Sequence, residues 1–231
     1  LLYLPEFFEL YIVNQFLACD VSDQNEILNL LDLIHQDIDG IKIGLQYITQ
    51  RTLEDIKELK KYKKPIFYDG KFFDIKNTLI SAIKSLEPLG VSYATVHLLN
   101  GINSLKAAND VAKKININLL GVSILTSFTD KDLISLGFKD SVEEQVLRLI
   151  KIAMEANLYG VICSPLEIKM IKKISPNLKC FTPGIRMDNN KHDQKRTMKP
   201  SEAIKAGSDC LIIGRPITEG DPKKNIQKII S

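Results

Sequence analysis

The stretch Y68-D-G-K-F-F-D-I-K-N-T78 places Asp69, Lys71 and Asp74 directly after an apolar, strand-like run, PIFYD (65–69). Charged side chains are almost never fully buried unless paired. Three of them, of alternating sign, at the end of such a strand read either as a structural ion network or as a site. Side chains two apart in a strand face the same way. Asp69 and Lys71 are therefore expected to aim together at one end of the sheet, with Gly70 between them facing the opposite layer.

Working outward, the same kind of run recurs. Strand candidates are FLACD (16–20), GIKIG (40–44), PIFYD (65–69), YATVHLL (93–99), LLGVSILT (119–126), GVICS (160–164), CFTPGI (180–185) and CLIIG (210–214). Helical patterns lie between them, such as EILNLLDLIHQ (26–36), with apolar residues at three- and four-residue steps. Strands buried on both faces read as continuous apolar runs, as these do. Eight alternations in 231 residues predict an α/β fold, a single-domain (β/α)₈ barrel over residues 1–231. A doubly wound open sheet would need a glycine turn after the first strand, and Cys19-Asp20-Val21-Ser22 has none.

In a barrel the site lies at the C-terminal ends of the strands. The polar residues there are Asp20, Lys42, Asp69 with Lys71, Asn100, Thr126 with Ser127, Ser164, Arg186 and Arg215. Ser164 and Asn100 read as the solvent boundary. Lys42, inside GIKIG, does not.

The net charge of +3 is mild and Lys is spread along the chain, which argues against a nucleic-acid partner. No apolar run reaches the roughly 18–20 residues of a membrane span. The opening LLYLPEFFELYIVN lacks the basic start and cleavage site of a signal peptide. It is expected to form an N-terminal helical extension (1–15) packed on the body. Cys19, Cys163, Cys180 and Cys210 sit in apolar runs without CxxC spacing, as buried free thiols in a cytoplasmic protein would. His35, His97 and His192 lack ligand spacing, so no metal site is expected. His97 reads as a hydrogen-bonded core residue, His35 as a helix-surface residue and His192 as solvated.

The element D69-G-K71-F-F-D74-I75-K-N77-T78 is joined, in order, by ACD (18–20), KIG (42–44), VH (96–97), ILTS (124–127), VICS (161–164), TPGIR (182–186), DQKR (193–196) and IIGRPIT (212–218). From about Phe16 onward the chain resembles the orotidine 5′-phosphate decarboxylase family. The resemblance implies metal-free and cofactor-free decarboxylation of orotidine 5′-monophosphate to UMP, the last step of pyrimidine synthesis, by a homodimer. Lys71 would deliver a proton to C6 of the pyrimidine. Asp69 would lie beside the substrate carboxylate, and Lys42 would pair with Asp69. Asp74 would cross the dimer interface to complete a Lys–Asp–Lys–Asp array. Asp20 and Thr78 would bind the ribose, Thr78 also from across the interface. Thr126 and Ser127 would contact the pyrimidine. Gln194, Gly214 and Arg215 would hold the phosphate, supported by Arg186, and the polar loop 186–200 would form a lid over it.

The chain departs from the family pattern in places. Gly70 replaces a bulky apolar residue and is expected to cost packing. Phe73 replaces a histidine, Lys76 a proline, and Leu99-Asn100-Gly101 a small turn. Two rival readings stay open. One is a Mg²⁺-dependent sugar-phosphate decarboxylase or aldolase of the same suprafamily, which typically carries Glu where this chain has Lys42. The other is a non-catalytic barrel that binds UMP.

Overall fold

The computed structural model describes residues 13–187 and 196–230. Eight parallel strands close in sequence order: β1 (Asn14–Cys19), β2 (Gly40–Ile43), β3 (Ile66–Phe72), β4 (Tyr93–His97), β5 (Asn118–Val122), β6 (Gly160–Ile162), β7 (Lys179–Thr182) and β8 (Cys210–Ile213). All eight expected runs contribute, and the fold is the expected (β/α)₈ barrel. The expected N-terminal extension was drawn two residues too long, because Asn14 and Gln15 already pair with Cys210 and Leu211 of β8. Residues 1–12, where its helix was expected, lie outside the described residues, as do Gln194 and His192.

Some expected strands end early. The run at 93–99 stops at His97, whose side chain caps the turn Leu98–Asn100 by accepting the Leu99 N–H at 3.3 Å. Among the helices that escaped the sequence reading are Leu53–Glu58 and Pro222–Ile230. The first has six residues and one buried side chain, Ile56, so it carries almost no periodicity. Its start is nevertheless well specified. Thr52 Oγ1 accepts the Asp55 N–H at 3.2 Å, and the Asp55 carboxylate accepts the Thr52 N–H at 2.8 Å.

Two apolar layers form. Ile, Leu and Val on the outer strand faces pack under the helices. Inside the barrel a smaller cluster gathers Phe16, Phe67, Leu120, Phe181 and Ile212. Its rings meet edge to face, with centroids 6.1 Å apart for Phe16–Phe181 and 6.2 Å for Phe67–Phe181. This layer aims the polar groups. Two-residue steps run from Phe16 through Ala18 to Asp20, from Gly40 to Lys42, from Phe67 to Asp69, and from Tyr93 through Thr95 to His97. Each column starts apolar in the barrel and ends polar at its mouth.

β3 breaks the simple alternation. Tyr68 pairs with Ala94 and Phe72 with Val96, so four steps along β3 cross two of β4. Lys71 takes up the excess with a φ of 48°. Tyr68 and Phe72, four residues apart, share one face, where their rings stack at 5.7 Å. Gly70 lies between them, and a Cβ there would fall 2.7 Å from Tyr68 Cε1. The packing loss expected at Gly70 is therefore not found. The neighbouring rings occupy the space a larger side chain would take.

All four cysteines are free and buried. Burial pushes the Cys19 thiol up to about 12. No helix among the described residues is long and apolar enough to cross a membrane.

Gly40 is fixed by the barrel interior, since a Cβ there would come within 2.4 Å of the Phe16 ring. Gly40→Ala should lower stability by about 1–3 kcal/mol through overpacking, read as a shifted urea midpoint. An unchanged midpoint would mean that the ring simply moves aside.

Candidate active site

At the barrel mouth four charges alternate in a row. Lys42 Nζ donates to Asp20 Oδ1 at 2.6 Å and lies 3.9 Å from Asp69 Oδ2. Lys71 Nζ donates to the same Asp69 oxygen at 2.7 Å. The expected ion pair of Lys42 with Asp69 is present, and a shorter contact to Asp20 adds to it. The hydrogen bond of Lys42 goes to Asp20, and Asp69 is its more distant ionic neighbour. The Asp69 side chain is 13 % exposed and that of Lys71 is 33 % exposed. The carboxylate is held inside the wall while the ammonium reaches out of it.

Thr95, which the sequence reading passed over, braces this row. Its hydroxyl is fully buried and donates to Asp69 Oδ1 at 2.9 Å. Thr95 Oγ1 in turn accepts the backbone N–H of Lys71 at 2.8 Å. A non-glycine residue at positive φ costs on the order of 1–3 kcal/mol. The Thr95 contact and the Lys71–Asp69 ion pair are what hold Lys71 there. Asp69 and Lys71 do aim the same way, as expected, but through a bulge rather than a regular pleat.

The row forms one wall of a cavity of about 910 Å³. Thr126, Arg186, Gly214 and Arg215 line it elsewhere. Arg186 NH1 donates to the Ile185 carbonyl at 2.7 Å. Its backbone N–H reaches Met198 O at 3.0 Å, and Met198 N–H reaches Gly184 O at 3.2 Å, which zips together the two stems of the loop after β7. Ser127 is exposed. Asp74 and Thr78 are also exposed, and the Asp74 carboxylate accepts the neighbouring Ile75 N–H at 2.7 Å. Neither joins the row within one chain. Among the described residues, no group of three His, Cys, Asp or Glu side chains converges as metal ligands.

A second polar assembly was only half legible. Ser164 is fully buried and caps the turn Pro165–Glu167, so its reading as a solvent boundary is corrected. The Glu167 carboxylate, 5 % exposed, accepts the Ser164 N–H at 2.9 Å and pairs with Arg196. Burial pushes the Glu167 carboxyl up, and the Arg196 guanidinium and Ser164 N–H oppose this. Arg196 also donates to Thr126 O at 3.3 Å and Leu125 O at 3.1 Å. Ser-x-x-Glu at 164–167 is a capping-box pattern, but nothing in the sequence marks Arg196 as its partner.

Asn100 is likewise corrected from a boundary residue to a half-buried bridge between the ends of β3 and β4. His97 is half-buried, with its ring 5.5 Å from that of Phe73, and burial lowers its pKa. This fits the expected hydrogen-bonded residue, placed nearer the surface than the core.

Thr95→Val keeps the shape and removes the hydroxyl, leaving Asp69 Oδ1 and the Lys71 N–H short of a partner. The loss should be about 1–3 kcal/mol in urea unfolding. A midpoint equal to that of the parent would show that the bulge holds without it.

The sequence profile described as the orotidine 5′-phosphate decarboxylase / HUMPS family matches residues 14–229. An orotidine 5′-phosphate decarboxylase of Wolbachia pipientis is 36% identical over 214 residues, covering 92% of this chain and 95% of its own. One of Legionella pneumophila is 40% identical over 207 residues, covering 87% and 90%. The crystal structure of the Lactobacillus acidophilus orotidine 5′-phosphate decarboxylase superposes with a TM-score of 0.82 at 31% identity, covering 94% of this chain and 97% of that one. With the match running from β1 into the last helix, the chain belongs to the orotidine 5′-phosphate decarboxylase / HUMPS family.

Proposed function

We propose that this protein decarboxylates orotidine 5′-monophosphate to UMP, without a metal, through a carbanion at C6 of the pyrimidine. The observation that carries this reading is the Lys71 ammonium, held by Asp69 at 2.7 Å on the wall of a nucleotide-sized cavity.

The chemistry asks for such a group. When CO₂ leaves, the bonding pair remains on C6 in an sp² orbital that the ring delocalises poorly. A fixed ammonium stabilises the pair electrostatically, then transfers a proton from Nζ to C6. The resulting amine recovers its proton from solvent. Two unit charges ~4 Å apart interact by about 4 kcal/mol at an effective dielectric near 20, or about three decades of rate. Asp69 sits beside the substrate carboxylate and keeps Lys71 in place. Lys42, tied to Asp20, supplies a second positive charge behind Asp69.

Asp20, Thr126, Arg186, Gly214 and Arg215 line the cavity, which supports the remaining roles. Asp20 holds the ribose on the side of the charged row. Thr126 and Ser127 contact the pyrimidine from the loop after β5. Arg186, Gly214 and Arg215, with Gln194, receive the phosphate after β7 and β8, where barrels commonly bind it. Binding energy gathered there, far from C6, lowers the chemical barrier.

The working unit is a homodimer in the cytoplasm, with Asp74 and Thr78 contributed across the interface. The surface around Asp74 supports this, because Phe73 is 61 % exposed, Ile75 74 % and Leu99 41 %. The four free, buried cysteines suit a reducing compartment.

The direct assay follows the fall in pyrimidine absorbance on adding orotidine 5′-monophosphate, with and without EDTA. Turnover unaffected by EDTA is expected. Turnover of a keto-sugar phosphate that needs Mg²⁺ would overturn the reading. Lys71→Ala should lose at least about 10³-fold in turnover while still binding UMP. Normal turnover by that variant would remove Lys71 as the proton donor.

A further inference from the structure

We propose that Asn100 is the positioning residue that presents Asp74 to the neighbouring subunit's active site, an inference that rests on the dimeric reading above. Asp74 lies in a stretch with no buried anchor of its own. Every residue from Phe73 to Thr78 is exposed, and Leu79 is the next buried one. A carboxylate on such a segment would sample many positions, and a catalytic array tolerates little misplacement. Asn100 removes that freedom.

The contacts fall on both sides of Phe73. Asn100 Oδ1 accepts the Asp74 N–H at 3.1 Å. Asn100 Nδ2 donates to Phe72 O at 2.9 Å and to His97 O at 2.8 Å. One amide thus uses its carbonyl and both N–H bonds, and ties the backbone on either side of Phe73 to the end of β4. The amide orientation is forced. Flipping it would set NH₂ against the Asp74 N–H and oxygen against two carbonyls. Phe73 packs on the His97 ring at 5.5 Å, and the Asp74 carboxylate is oriented locally by the Ile75 N–H at 2.7 Å. The result is an exposed carboxylate on a pinned backbone.

A merely structural role and a role through Asp74 separate in mixed dimers. Chains carrying Lys71→Ala and Asn100→Ala are co-expressed with different affinity tags, and the doubly tagged dimer is purified. One of its sites lacks Lys71. The other has Lys71 and receives Asp74 from the chain whose Asn100 is intact. The Asn100→Ala homodimer should lose about ten- to a hundred-fold in kcat, while the mixed dimer should recover about half of the parent value, one sound site of two. A Lys71→Ala/Asp74→Ala mixed dimer is the control. If the control recovers and the Asn100 pairing does not, Asn100 acts on its own subunit and the proposal fails. If the control also fails to recover, the shared-site reading itself is wrong. An Asn100→Ala homodimer with parental kcat would overturn the proposal outright. Should that chain not fold, Asn100→Asp serves in the same pairing. It keeps an acceptor for the Asp74 N–H and turns a carboxylate on the Phe72 and His97 carbonyls.

Discussion

The hydroxyl of Thr95 is the point on which the site turns. It gives its only hydrogen to Asp69 and takes one from the backbone of Lys71. With that single group in place, a strand can carry two extra residues, and a lysine can sit at a φ of 48° without drifting. Without it, Asp69 would have one oxygen facing a buried wall unsatisfied, and the bulge would lose its hold on β4. The electrostatics rest on this geometry. Asp69 lies between two ammonium groups, at 2.7 Å from Lys71 and 3.9 Å from Lys42. Asp20 in turn balances Lys42. The row is neutral as a whole, yet it directs a positive charge into the cavity.

The rest of the barrel sets where that charge lies. Aromatic rings fill the interior, and polar groups emerge two residues further along the same columns. A ring such as Phe16 therefore fixes the height at which Asp20 and its neighbours reach the mouth. Across the cavity, Arg196 satisfies a buried carboxylate that would otherwise be costly. The same guanidinium holds the Leu125 and Thr126 carbonyls. The backbone bearing Thr126 is thereby tied to the segment that follows the loop after β7.

Much of this could be read from the residues. The eight strands were visible because strands buried on both faces leave continuous apolar runs. Asp20, Lys42, Asp69 and Lys71 were visible because charges at the ends of such runs have no packing explanation. The short helix Leu53–Glu58 was not visible, because one buried residue makes no period. Thr95 was hidden because threonine is an ordinary strand residue, and only tertiary contact reveals what its hydroxyl touches. The second partner of Lys42, Asp20, was missed because Asp20 and Asp69 are both within reach, and sequence order says nothing about which lies closer. Asn100 and Arg196 act on residues 26 and 29 positions away respectively, and no local pattern encodes such a pairing.

The central claim is that the Lys71 ammonium meets the pyrimidine ring at C6. A crystal structure of the protein with UMP bound measures this directly. Nζ of Lys71 should lie within about 3.5 Å of C6, the reach of a near-attack geometry, with Asp69 and Thr95 still in contact behind it. A ring bound elsewhere in the cavity, or a Lys71 turned away from C6 toward solvent, would contradict it.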